Sequence, residues 1–153
     1  MAEIVINETL IELGVDVPSK EQVIRILADK LYFFNYVKDG YYENVIRREK
    51  DFPTGLPTVI PISVCHTEAQ YVNQSALALG TLAHPIEFQE MGTPERTVQA
   101  EIVFLLALND PKEQVPWLKK MASVFKNREA LETIRDASSK VDLAGYLRKL
   151  FLS

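Results

Sequence analysis

The chain has 153 residues, of which 47% are hydrophobic and 25% are charged, and its formal net charge at pH 7 is -4. These values are ordinary for a globular protein and argue against the disordered, collagen-like and coiled-coil classes. An acidic chain has no general electrostatic attraction to nucleic acid or anionic lipid, so we expect no nucleic-acid partner. At this length a single domain, residues 1–153, can bury a core without a disulfide or a metal.

Cysteine content and hydropathy indicate a cellular compartment. The one cysteine, Cys65, cannot form an internal disulfide, which fits a reducing environment. The N-terminus is acidic with only a short apolar stretch, which is unlike a signal peptide. The longest strongly apolar run, residues 102–108, is far shorter than the ~20 residues that span a bilayer. We therefore expect a soluble, cytoplasmic protein with no direct membrane insertion.

The first third of the chain predicts a short strand at residues 4–6 and then two helices. Ser19 has the character of an N-cap, because Gln22 follows at capping-box spacing. A second helix is predicted at residues 41–49, and residues 51–57, with two prolines and a glycine, are predicted to be a loop. The first helix carries one apolar stripe: Val23, Ile24, Leu27, Ala28 and Leu31.

The middle of the chain predicts strands, and the end predicts helices. Residues from Ile102 onward are apolar in succession, as in a central strand covered on both faces. Pro61 keeps part of the first of these strands out of a central ladder. The expected fold class is therefore α/β, a three-layer-like sandwich of a mixed β-sheet flanked by helices. The predicted strands are residues 58–64, 76–82, 86–89 and 98–108; the helices carry the stripe from Trp117 to Phe125, the segment from Asn127 to Arg135, and residues 141–151.

Common cofactor and metal motifs are missing from the sequence. Neither G-x-x-x-x-G-K-[S/T] nor G-x-G-x-x-G occurs, so the two frequent nucleotide-phosphate loops are absent. No G-x-S-x-G nucleophile elbow occurs either. One cysteine and two histidines cannot supply a usual structural zinc site. We expect no cofactor and no metal.

The two histidines stand in different surroundings. His84 lies in a predicted turn before Pro85, where a solvated residue is the simplest interpretation. His66 lies at a predicted strand end after the proline-rich loop, and strand ends in α/β folds are where sites collect, so structural and functional interpretations both stand. Cys65 and His66 are adjacent in a strand, so their side chains should point to opposite faces and form no thiolate–imidazole couple. We expect a buried, inert Cys65 rather than a hydrolase nucleophile.

Two motifs carry a resemblance to a known family. Residues 48–57 read R-E-K-D-F-P-T-G-L-P, and residues 62–68 read I-S-V-C-H-T-E. Together they resemble the IIA domains of the bacterial phosphotransferase system, whose pattern is R-E-x-x-F-P-T-G, a short spacer, then A-I-P-H. Within the mannitol/fructose superfamily, the galactitol-like IIA proteins are the most similar branch. Residues 85–89 and 103–108 match later strands of the family, so the resemblance covers nearly the whole chain.

The resemblance implies a phosphotransferase component that works through a phosphohistidine. His66 would accept phosphate from the histidine-containing phosphocarrier HPr and pass it to a cysteine of the IIB component. That component serves the membrane transporter IIC, which takes up a sugar or polyol in a galactitol-like system; IIC binds the sugar, so this sequence does not name it. An alternative within the same fold is a regulatory protein that signals by its phosphorylation state and serves no transporter.

The resemblance also implies a role for residues around the histidine. Arg48 would bind phosphate oxygens with its guanidinium fork. Thr54 would add a hydroxyl, and Gly55 would let backbone N–H groups approach the phosphate. A neutral imidazole at His66 offers a ring nitrogen as nucleophile at cell pH.

This chain departs from the family pattern in two places. Cys65 stands where the family usually has proline, so the backbone before the histidine is less constrained. Trp117-Leu118 stands in the similar place to a His-Leu pair that the mannitol and fructose branch often carries. The galactitol branch commonly lacks that second histidine, so this departure favours the galactitol-like subclass.

Overall fold

A mixed five-stranded β-sheet forms the centre of the protein in the computed structural model, which describes residues 3–152. Its strands are β1 Ile11–Val15, β2 Gly55–Leu56, β3 Ile62–Cys65, β4 Ala76–Glu90 and β5 Thr93–Ala107. β1 runs parallel to β4, β3 runs parallel to β5, and β4 and β5 form a long antiparallel hairpin. β2 pairs with β3 and with the end of β4, so β2, β3, β5 and β4 form a closed circuit of pairings.

Helices cover both faces of this sheet. They are α1 Lys20–Phe33, α2 Tyr41–Asp51, α3 Gln114–Phe125, α4 Arg128–Arg135 and α5 Lys140–Leu152. Alternate residues of β5 divide between two buried clusters: Ile102 and Phe104 pack with α3, α4 and α5, whereas Val103 and Leu105 pack with α1 and α2. This alternation confirms the predicted α/β sandwich and the central strand covered on both faces.

Local signals identified the helices well. The Ser19 side chain accepts the Gln22 backbone N–H at 3.3 Å, and the predicted stripe of α1 is buried. The Asn127 side chain likewise accepts the Ala130 N–H at 3.2 Å and caps α4. Gly40, with φ of +90°, precedes α2 in the left-handed region, which a glycine adopts without strain.

The predicted turn at His84 is wrong. β4 runs without interruption from Ala76 to Glu90, and its pairing with β5 shifts register between Thr81 and Ile86. This irregularity accommodates Pro85, which has no N–H for a regular ladder. His84 is exposed on the strand, with its Nε2 atom 3.9 Å from a carboxylate oxygen of Asp16.

The other strand predictions need smaller corrections. The predicted loop at residues 51–57 contains β2, and the predicted strand at residues 58–64 begins only at Ile62, after Pro61. The predicted strand at residues 4–6 is a single bridge from Val5 to Ala76. β1 was missed by the sequence reasoning, although its residues I-E-L-G-V alternate apolar side chains with Glu12 and Gly14.

None of the helices within residues 3–152 has the length and hydropathy needed to cross a membrane.

Candidate functional site

His66 is the first residue after β3, and it lies where β3 and its parallel neighbour β5 approach their carboxyl ends. Its side chain is buried, with 7% of the residue exposed. The Nδ1 atom lies 3.0 Å from the carbonyl oxygen of Val64. A carbonyl can only accept a hydrogen bond, so Nδ1 carries the proton and donates it. The lone pair of the neutral ring is therefore on Nε2.

Burial of the imidazole lowers the pKa of His66 below its ordinary value. The hydrogen bond to Val64 raises this pKa, the positive charge of Arg48 lowers it, and the negative charge of Glu68 raises it. Burial disfavours the cationic ring, and the net shift is downward. His66 therefore presents a neutral imidazole with a nucleophilic nitrogen at neutral pH.

Arg48 lies near the end of α2 and carries a guanidinium with unused hydrogen-bonding capacity. Its Nε atom is buried and has no hydrogen-bond partner within residues 3–152. The guanidinium carbon is 5.4 Å from the centre of the Phe52 ring, a cation–π contact. A pocket of about 90 Å³ lies beside it, lined by Asn44, Arg47, Arg48, Asp51, Phe52 and Glu68. Such a cation can bind an anion without first breaking an internal salt bridge.

Glu68 adds a negative charge to the same region. The Thr67 hydroxyl donates to Glu68 Oε2 at 2.5 Å, and this bond lowers the pKa of the Glu68 carboxyl. The positive charges of Arg48 and Arg47 lower it further. Glu68 is therefore ionised at neutral pH, and its charge acts on both His66 and Arg48.

Thr54, predicted to contact phosphate, is instead bound to a buried carboxylate. Its N–H donates to Glu49 Oε2 at 2.9 Å, and its hydroxyl donates to Glu49 Oε1 at 2.7 Å. Because a hydroxyl has one proton, Thr54 has none left to donate elsewhere in this arrangement. A phosphate contact by Thr54 stays a prediction.

Glu49 was missed by the sequence reasoning. It is buried, at 3% exposure, and burial raises the pKa of its carboxyl while the Thr54 bonds lower it. A signal for it exists, since Tyr41, Val45 and Glu49 are spaced four residues apart and form the buried side of α2. A charged residue that continues a buried stripe needs hydrogen-bond partners in the fold.

Gly55 has a packing role in this structure. A Cβ atom at Gly55 would lie 2.6 Å from the carbonyl oxygen of Gln89 and 2.7 Å from a methyl group of Val98. Glycine therefore permits β2 to approach the β4–β5 hairpin and close the circuit of strands. Its predicted contact with phosphate also stays a prediction.

Cys65 is fully buried and packs on the α1 and α2 side of the sheet. Its Sγ atom is 3.7 Å from the Thr54 hydroxyl and 3.8 Å from the Ser63 hydroxyl. Burial, together with the Glu49 charge, raises the pKa of the thiol well above its ordinary value. The expected burial of Cys65 is confirmed. A thiol with a raised pKa forms little thiolate, so its inertness stays the prediction.

Two other positions singled out in the sequence are not brought into this cluster. Trp117 is buried in the core between α3 and α5, with its ring centre 6.4 Å from that of Phe151. His84 is on β4 and exposed. Within residues 3–152, no group of three or more His, Cys, Asp or Glu side chains is arranged to hold a metal ion.

A mixed α/β sandwich with a buried, neutral histidine beside an arginine suits a carrier of phosphoryl groups. The family profile described as "Phosphoenolpyruvate-dependent sugar phosphotransferase system, EIIA 2" matches residues 4–149. The chain therefore belongs to this family of phosphotransferase components, as the resemblance predicted.

Relatives and solved structures agree with this membership. The galactitol-specific EIIA component of Escherichia coli K12 is 23% identical over 122 residues, which are 79% of this chain and 81% of that protein. The transcriptional regulator ManR of Bacillus subtilis is 29% identical over 99 residues, 65% of this chain and 14% of that protein. The complex of enzyme IIAMTL with phosphorylated enzyme IIBMTL from Escherichia coli contains a similar fold, with a TM-score of 0.75 and 21% identity, covering 98% of this chain and 99% of that chain.

Proposed function

We propose that this protein is a cytoplasmic IIA phosphocarrier that accepts a phosphoryl group from HPr on Nε2 of His66. It then passes the group to a cysteine of a IIB component for uptake of a galactitol-like sugar or polyol through IIC. The observation that carries the proposal is the His66 ring, whose Nδ1 is held by the Val64 carbonyl at 3.0 Å while Nε2 retains the lone pair.

The transfer is a simple displacement at phosphorus. The Nε2 lone pair of His66 forms the new N–P bond, and the bond between phosphorus and the HPr imidazole breaks with its electron pair leaving on HPr. The phosphorylated His66 ring becomes positively charged. Its Nδ1–H continues to donate to the Val64 carbonyl, and this charge-assisted hydrogen bond stabilises the cationic ring. Arg48 supports the negative oxygens of the phosphoryl group during transfer. In the second step the IIB thiolate attacks phosphorus, and the electron pair of the N–P bond returns to Nε2.

Substrate specificity is supported less directly than phosphotransfer. The galactitol-specific relative, at 23% identity, favours a galactitol-like system. The sugar itself is bound by IIC in such systems, so no sugar pocket is needed in this chain. The alternative, a regulatory protein that serves no transporter, is supported by the similarity to the transcriptional regulator ManR, which contains a related segment.

The test is phosphorylation of the purified protein with enzyme I, HPr and phosphoenolpyruvate, followed by intact mass measurement. The wild-type protein should gain one phosphoryl group, and His66→Ala should gain none while remaining folded. His84→Ala is the matched control, because His84 is an exposed imidazole on β4, and it should be labelled normally. Labelling of His66→Ala at the wild-type rate would refute the proposal. Transfer onward to purified IIB of a galactitol-like system separates the transport role from the regulatory one.

A further inference from the structure

The loop between α2 and β2 is closed by a buried carboxylate. Glu49 accepts both the N–H and the hydroxyl of Thr54, at 2.9 Å and 2.7 Å. The Phe52 N–H donates to the Arg48 carbonyl at 2.6 Å and ends the helix inside this loop. The loop therefore leaves α2 and returns to the sheet along a path set by these three hydrogen bonds.

This loop carries the ring that supports Arg48. Phe52 is 64% exposed, so its ring does not contribute to the core, yet it lies beneath the Arg48 guanidinium at 5.4 Å. No ion pair within residues 3–152 includes Arg48, and its Nε atom has no hydrogen-bond partner there. The Phe52 ring is thus the main described contact that orients a side chain with several free rotations.

The same carboxylate is linked to the strand that ends at His66. The Thr54 hydroxyl, whose proton is donated to Glu49, lies 3.7 Å from Sγ of Cys65, the residue directly before His66. The buried cluster of Glu49, Thr54 and Cys65 therefore contacts both the loop that carries Phe52 and the strand that ends before His66.

We propose that Glu49 and Thr54 are positioning residues for phosphotransfer, which set the loop that places Phe52 and, through it, Arg48 relative to His66. The inference rests on the proposed function of His66. A buried carboxylate destabilises a fold unless its partners compensate, and replacing such groups by apolar ones is often neutral or stabilising. Here the carboxylate holds the loop that carries Phe52, whose exposed ring does not contribute to core packing.

The experiment measures phosphoryl transfer from phospho-HPr in Thr54→Val, which removes the hydroxyl and nearly conserves volume. We expect the maximal rate to fall by about three- to tenfold with an unchanged KM for phospho-HPr, as for loss of one buried hydrogen bond. Thr54→Ser should restore the rate. Thr133→Val, which removes an exposed hydroxyl on α4, is the matched control and should transfer normally.

A double-mutant cycle distinguishes positioning from general destabilisation. If Thr54 acts through Arg48, Thr54→Val should have little further effect in an Arg48→Met background. Phe52→Leu changes only an exposed ring, so it provides the same test even if Thr54→Val folds poorly. It should slow transfer in the wild-type background and have little further effect in the Arg48→Met background. Equal rate losses in both backgrounds, or an unchanged rate in Phe52→Leu, would overturn the inference. Failure of the wild-type protein to accept phosphate would instead overturn the proposed function.

Discussion

Replacing Arg48 by methionine tests its proposed contribution to phosphotransfer separately from its contribution to stability. The side chain has no ion pair and no partner for Nε within residues 3–152, so few folded-state interactions are lost. The contact with the exposed Phe52 ring accounts for about 0.5–1 kcal/mol of unfolding free energy. The loss of a charge-assisted donor to the phosphoryl group should cost about 1.5–3 kcal/mol in the transition state. That energy corresponds to a roughly 10- to 150-fold slower transfer.

The assay is quenched-flow transfer from phospho-HPr, paired with urea unfolding of the same variant. Arg48→Lys should recover only part of the rate, because an ammonium cannot bind two phosphate oxygens as a fork. Arg128→Met removes an equal charge from an exposed i,i+4 pair on α4 and should transfer at the wild-type rate. The pKa of His66 should also rise in Arg48→Met, since the Arg48 charge lowers it. An unchanged rate together with an unchanged His66 pKa would show that Arg48 is only a surface charge.

Three further substitutions test the surroundings of the site. Gly55→Ala should lower the unfolding free energy, measured in urea, by about 1–3 kcal/mol, because its Cβ would lie 2.6 Å from a carbonyl oxygen of β4. Gly145→Ala is the control, because a Cβ there meets nothing within 4 Å. Because burial lowers the pKa of His66, phosphate acceptance should persist at a pH where a free histidine is already protonated. Glu68→Gln removes a charge that raises this pKa, so NMR titration of the ring should show a further decrease, and an increase would contradict the assigned electrostatics. Cys65→Ala should keep transfer and lose about 1 kcal/mol of unfolding free energy; loss of transfer in a folded variant would show that the thiol takes part.

The helices were predictable because their signals are local. A capping side chain such as Ser19 or Asn127 acts within one turn, and an apolar stripe is read directly from the spacing of residues. The strands were less predictable because pairing partners decide them. Pro85 indicates a turn in the sequence, yet β4 continues past it because β5 shifts register there. Gly55 and Leu56 form a strand only because β3 and the end of β4 are available to pair.

The sequence predicted the identity of some residues of the candidate site but not their surroundings. His66 and Arg48 are prominent in the motif, and their chemistry follows from their residue types. The environment that makes His66 neutral could not be read from the sequence, because it depends on burial and on the carbonyl of Val64. Glu49 could have been found from its place on the buried stripe of α2, but its partner Thr54 is identified only by the path of the loop.

The segment from Arg48 to Gly55 joins the chemistry of the site to the closure of the sheet. Gly55 permits the close approach that completes the circuit of strands, and Thr54, directly before it, binds the Glu49 carboxylate. Phe52 lies between these anchors and the helix end, where its ring supports the Arg48 guanidinium. Because these residues occupy eight consecutive positions, we expect a change that disturbs the closure of β2 to disturb also the loop that carries Phe52. The proposed roles of these residues therefore predict that packing at Gly55 affects phosphotransfer at His66 through this segment, even though Gly55 need not touch phosphate.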